Sequence, residues 1–255
     1  MRIALRVLAV SVGAAALVVS GTVGASAQGT SPTAYTCTGG DIPSGNYASV
    51  TVTGACAVAA EAVISVAGNV YVAAGATLDA QSAPSTITVG RNVIALRGSL
   101  LGLGCQPDTD HAGHPCTVEP DGHSTITVNG NVTGLKALAV LLNGVTVKGN
   151  VTFVGGGSQI PWSIKNNTID GNLTVTGQTT EWLGVLFNRI GRNATLIKIA
   201  VHDVDPGAPG VYIVQNKIGF NLTCFGLTPG VSGGFVPGAV NVVGRHAIGQ
   251  CASLV

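Results

Sequence analysis

The densest chemistry in this 255-residue chain lies between residues 102 and 123. That stretch holds Asp108, Asp110, Glu119 and Asp121, four of the eleven acidic residues. It also holds His111, His114 and His123, three of the five histidines. Carboxylates two residues apart on a loop, as at Asp108 and Asp110, can share a hard cation such as calcium. His111 and His114, three residues apart, suit zinc or copper instead. The simpler alternative is a loop kept soluble by its charges, and this is the preferred reading, with no cofactor expected. Calcium is the metal held in reserve. No catalytic residue is assigned.

Other chemistry is thinner. Glycoside hydrolysis needs two carboxylates about 5–9 Å apart. Asp170 has Lys148 and Gly191 at the equivalent repeat positions, which reads as an outward Lys148–Asp170 ion pair rather than a dyad. Trp162 and Trp182 lie 20 residues apart, close to one repeat. Stacked exposed aromatic rings bind sugar rings, and packing against the body of the fold is the competing expectation. Arg189 and Lys217 share a repeat position and mark a solvent-facing corner with at most a weak anion site.

These residues must be held by a repeating frame. A five-residue phrase recurs, made of an aliphatic residue, two variable residues often including Gly, Asn, and a second aliphatic residue. Val66-Ala67-Gly68-Asn69-Val70 and Val147-Lys148-Gly149-Asn150-Val151 are two copies. The Asn positions are Asn69, Asn92, Asn131, Asn150, Asn172, Asn193 and Asn221, with His246 closing the series. Successive steps are 23, 39, 19, 22, 21, 28 and 25 residues. Four copies are entered by alternating strands such as Ile87-Thr88-Val89 and Ile126-Thr127-Val128, with one buried and one wet face. In the C-terminal half an upstream Asn joins, at Asn167, Asn188, Asn216 and Asn241. Asn tolerates left-handed backbone at a bend, and its amide can bond the equivalent Asn one repeat away. The pattern predicts an all-β, single-stranded right-handed parallel β-helix (a β-solenoid) of about eight coils of roughly 22 residues. The 39-residue step then contains the 102–123 excursion. The Asn-x-Thr triplets at Asn131, Asn150, Asn166, Asn172, Asn193 and Asn221 are read as by-products of the repeat.

Composition agrees and excludes other classes. Only 9% of residues are charged, 37 are Gly, and aromatics make up 4%. Disorder requires more charge and less hydrophobicity. A net charge of +1 offers no basic field for nucleic acid. Arg2 and Arg6, an apolar run to Val19 and Ala25-Ser26-Ala27 read as a signal peptide over residues 1–27, leaving residues 28–255 as one domain with no membrane span after signal removal. Six cysteines in an exported chain allow fifteen pairings. Their grouping favours Cys37–Cys56, Cys105–Cys116 and Cys224–Cys251, stapling both ends and closing the excursion.

The chain also resembles a group of secreted actinobacterial proteins with a pectin-lyase-like right-handed β-helix. The similar features are Tyr35-Thr36-Cys37 with Ile42-Pro43-Ser44-Gly45, the loop after Leu103-Gly104-Cys105, and the Ala-Leu-Ala-Val-Leu-Leu run at 137–142. Asn216-Lys217-Ile218-Gly219 before Asn221-Leu222-Thr223-Cys224, and the ending Gly249-Gln250-Cys251, complete them. The resemblance spans nearly all of residues 36–251. It implies fold and export but no activity, and no motif of polysaccharide lyases or polygalacturonases is present.

The sequence therefore points to a secreted, non-catalytic scaffold or binding protein, with cell-envelope or extracellular polysaccharide as its partner. A carbohydrate-active enzyme using the 102–123 loop is the first alternative. An ice- or surface-binding solenoid using Thr rows, such as Thr86/Thr88 and Thr125/Thr127, is the second.

Overall fold

Each repeat contributes short extended segments, and each segment meets its equivalent in the next repeat as a parallel neighbour. The computed structural model describes residues 31–255 apart from 110–111, 203–206, 208 and 235–239. The expected export signal at 1–27, Asp110 and His111 lie outside the described residues.

The strands fall into three columns. The first holds the segments that enter the Asn phrase, including Ser85–Val89, Thr125–Val128, Val145–Val147, Thr168–Ile169, Arg189–Ile190 and Lys217–Ile218. The second holds the segments that leave it, including Val132–Leu135, Val151–Val154, Leu173–Thr176, Ala194–Val201 and Leu222–Thr228. The third is a nine-stranded parallel sheet running from Gly40–Ile42 to Val231–Ser232. The first two columns join in one 19-stranded sheet because Gly45–Val52 pairs with strands of both. The only helical segment among the described residues is the 3-10 turn Gln250–Leu254. The described protein is thus nearly all-β, with parallel strands throughout its sheets.

Register explains the core. Val66, Val89, Val128, Val147, Ile169, Ile190 and Ile218 stand opposite one another along the first column. All are buried, and one continuous apolar cluster runs through the stack. Branched residues suit this position because they pack on a pleated surface.

Asparagine closes the bends in two ways. At the expected positions, each Asn Oδ1 from Asn69 to Asn193 accepts the backbone N–H and the Nδ2–H of the next Asn, at 2.8–3.2 Å. The backbone N–H of His246 ends this ladder on Asn221 Oδ1. A second ladder of Asn167, Asn188, Asn216 and Asn241 is buried. There each Nδ2 also donates to a third-column carbonyl, as Asn188 does to Ile164 at 2.7 Å. These carbonyls would otherwise be buried without a partner.

No ladder Asn from Asn69 to Asn221 takes the expected left-handed conformation; left-handed residues lie one place before the buried-ladder Asn instead. Asn166, Phe187 and Gln215 have φ of 58°, 58° and 49°, and each precedes a buried-ladder Asn. The Asn itself must present its amide along the stack, so the preceding residue takes the strained conformation. In the exposed corner, each copy of the phrase has one Gly at one of its two variable positions. A Cβ at Gly149 would lie 2.5 Å from Asn131 Oδ1 and 2.6 Å from the Gly130 carbonyl oxygen, and one at Gly191 would lie 2.4 Å from that of Asp170. The bend approaches the previous repeat so closely that one side chain must be absent.

Candidate functional site

The 102–123 excursion is a stapled loop pinned to the third column. The Cys105–Cys116 disulfide closes it, and Cys37–Cys56 and Cys224–Cys251 form at the two ends, as expected. The Gln106 N–H donates to the His114 carbonyl at 2.8 Å, and Asp108 Oδ1 accepts from the Gly113 N–H at 2.9 Å. Two side chains more than 50 residues away hold the loop down: the Lys165 ammonium donates to the Gly113 carbonyl and Asn166 Nδ2 to that of Ala112. Burial pushes Lys165 below the usual lysine range, opposed by the charge of Asp108. Burial also pushes His114 down, and the Lys165 charge adds to that effect.

The loop's carboxylates are not gathered. Asp108, Glu119 and Asp121 are exposed, and among the described residues no three His, Cys, Asp or Glu side chains stand close enough to hold a metal. An adjoining hollow of about 420 Å³ is lined by Gln106, Thr109, His123 and Asn166 but by none of the described acids. Lys165 and Asn166, the loop's anchors, carry no signal in sequence because neither lies near it along the chain.

The tryptophans do not form a platform. Trp162 is fully buried, donates its indole N–H to the Leu138 carbonyl at 3.1 Å and meets Phe153 edge-on at 5.6 Å. This corrects the sugar-stacking expectation for Trp162, which is a core residue. Trp162 stands opposite Leu183, so Trp182 is one residue out of step. Neighbouring residues on a strand point to opposite faces, which separates the two rings. Trp182 is half-buried outside the core, its ring 5.3 Å from that of Tyr212, over Gly184.

The corner between the first and second columns is different in kind. It keeps five residues in all eight copies, from Val66 to Ala247. Every insertion flanks the third column: 104–123, 155–161, 202–210 and 233–240. The insertion-free face therefore runs the length of the stack. On it Thr133, Thr152, Thr174, Thr195 and Thr223 stand in register, one per strand. With Asn131, Asn150, Asn172 and Asn193, the first four line a groove of about 540 Å³. Leu135 and Val154 are exposed beside it at 44% and 41%. The recurring Asn-x-Thr triplet was the available signal for this surface. On the first column Thr86 and Thr88 stand opposite Thr125 and Thr127. Lys148 and Asp170 pair at 3.4 Å.

No family model, curated protein or solved structure matches the chain. The three disulfides fit an extracellular protein, and no helix among the described residues is long and apolar enough to cross a membrane.

Proposed function

We propose that the protein is a secreted right-handed parallel β-helix of about eight coils, related to the actinobacterial group it resembles. Its role is non-catalytic, and it binds cell-envelope or extracellular polysaccharide along the insertion-free face. One observation carries this reading: the chain varies in length everywhere except at the corner that presents the Asn and Thr rows. A surface repeating every ~4.8 Å suits a ligand that is itself a repeating polymer. Hydroxyls and amides bond sugar hydroxyls, while Leu135 and Val154 offer apolar contact.

Replacing Thr152, Thr174 and Thr195 together by Val keeps the branched shape and removes three hydroxyls. Titration on a panel of neutral and acidic glycans should show binding weakened about tenfold or more, each lost hydrogen bond contributing ~0.5–1.5 kcal/mol. Unchanged binding, or wild-type cleavage of a glycan that Asp108→Ala abolishes, would refute the reading.

A second reading rests on the five in-register threonines. A regular hydroxyl rank beside apolar groups can order water, and adsorption to ice is its consequence. Thermal hysteresis without glycan binding selects it.

A further inference from the structure

The corner changes character in its last repeats. In the middle of the stack the first variable position of the phrase carries Asn129, Lys148 and Asp170, and the second is Gly. In the last three copies, as in the single early copy Gly90-Arg91, the order reverses. Gly191, Gly219 and Gly244 occupy the first position, and Arg192, Phe220 and Arg245 the second. Backbone bonds keep the glycines in one column, with the Gly219 N–H on the Ile190 carbonyl and that of Gly244 on the Ile218 carbonyl, both 2.8 Å. With no side chains above it, this column floors a groove of about 260 Å³.

Cations line one wall of that groove. Arg189 and Lys217 stand directly opposite each other in adjacent strands and line one wall. Arg192 and Arg245 follow the floor glycines in sequence but do not line the groove, and the Arg245 guanidinium stacks 4.5 Å above the Phe220 ring. Arg189, Lys217, Arg192 and Arg245 are all exposed, and among the described residues none of them makes a salt bridge. The acid one repeat away, Asp170, is occupied by Lys148. Like charges stacked along adjacent strands repel, and folding alone gives no reason to place them together. An anion lying along the groove removes that repulsion.

We infer that this groove binds a linear glycan bearing carboxylate or sulfate groups, held by the Arg189 fork and the Lys217 ammonium along one wall of a glycine floor. The inference rests on the proposed glycan-binding role and names the ligand class taken at the C-terminal end of that face. A few cations on a protein of near-zero net charge make a short local field, which suits a sparsely charged glycan better than a nucleic acid.

The test uses alginate (carboxylate), heparin (sulfate), neutral dextran and a short DNA duplex, with the whole secreted chain. Arg189→Gln with Lys217→Gln should weaken binding of the preferred acidic glycan about four- to twenty-fivefold, at about two- to fivefold per exposed charge contact. It should also flatten the salt dependence. Lys136→Gln with Lys198→Gln makes the same change in net charge at another corner and should leave affinity within about twofold. The alginate and heparin arms show which anion is taken. Absence of acidic-glycan binding, an equal loss in both double variants, or tighter binding of DNA overturns the inference. Dextran binding sensitive to the Thr variants would in that case leave the broader glycan-binding role standing.

Discussion

Asn188→Ala should be among the most damaging single substitutions outside the apolar core. The side chain makes four hydrogen bonds. Its Nδ2 donates to the Ile164 carbonyl at 2.7 Å and to Asn216 Oδ1 at 2.9 Å. Its Oδ1 accepts the Asn167 backbone N–H at 3.0 Å and Asn167 Nδ2 at 2.9 Å. Asn188 is 1% exposed, so water cannot replace these partners. Four net contributions near 1 kcal/mol, plus the cost of an orphaned Asn167 N–H, give about 4–6 kcal/mol. Asn150→Ala removes three comparable bonds from an exposed ladder position. Solvent takes them over, and the cost falls to about 1 kcal/mol. Equilibrium unfolding in guanidinium, followed by far-ultraviolet circular dichroism, measures both. Equal losses within about 1 kcal/mol would refute the view that burial, rather than the ladder itself, sets the energetic weight of these amides.

Three further outcomes follow from the same geometry. Gly191→Ala drives a Cβ to 2.4 Å from the Asp170 carbonyl oxygen and should destabilise the fold by about 1–3 kcal/mol, whereas Arg192→Ala should cost under about 0.5 kcal/mol; thermal melts compare them. Changing Cys224 and Cys251 to Ser opens a closure of 27 residues and should cost about 3 kcal/mol, read as a shift of the urea midpoint against wild type. His114 titrates below its ordinary value in the folded state, so the unfolded chain binds its proton first as pH falls. Stability should therefore decline from about pH 6.5 downward and level off once the folded imidazole also protonates. His114→Gln should flatten that decline, and Lys165→Met should raise the His114 titration midpoint seen by NMR.

What could be read in the sequence was whatever the stack demands of residue type. The ladder needs an amide at a fixed place in each repeat, so Asn69 to Asn221 stood out. The parallel strands, the three disulfides and the Lys148–Asp170 pair followed from the same spacing. The third column was illegible because its outward positions share no phrase. Leu141, Ser163, Gly184 and Tyr212 occupy one register position there. Positive φ at Phe187, Gln215 and Lys198 was hidden for a different reason. These residues have no preference for left-handed backbone, and the hydrogen bonds of neighbouring repeats impose it. The fate of Trp162 turned on a one-residue register offset that spacing alone cannot resolve.

The two ladders also divide the labour of the molecule. The buried one ties the first column to the third, next to the insertions, where carbonyls are shut away from water and every amide is needed for folding. The exposed one runs along the corner that admits no insertion, where water could serve as well. Its amides therefore weigh less in folding than those of the buried ladder. An evenly spaced surface held to five residues per bend in every repeat is what recognition of another repeating object needs, and the groove floored by Gly191, Gly219 and Gly244 is where that regular surface acquires charge.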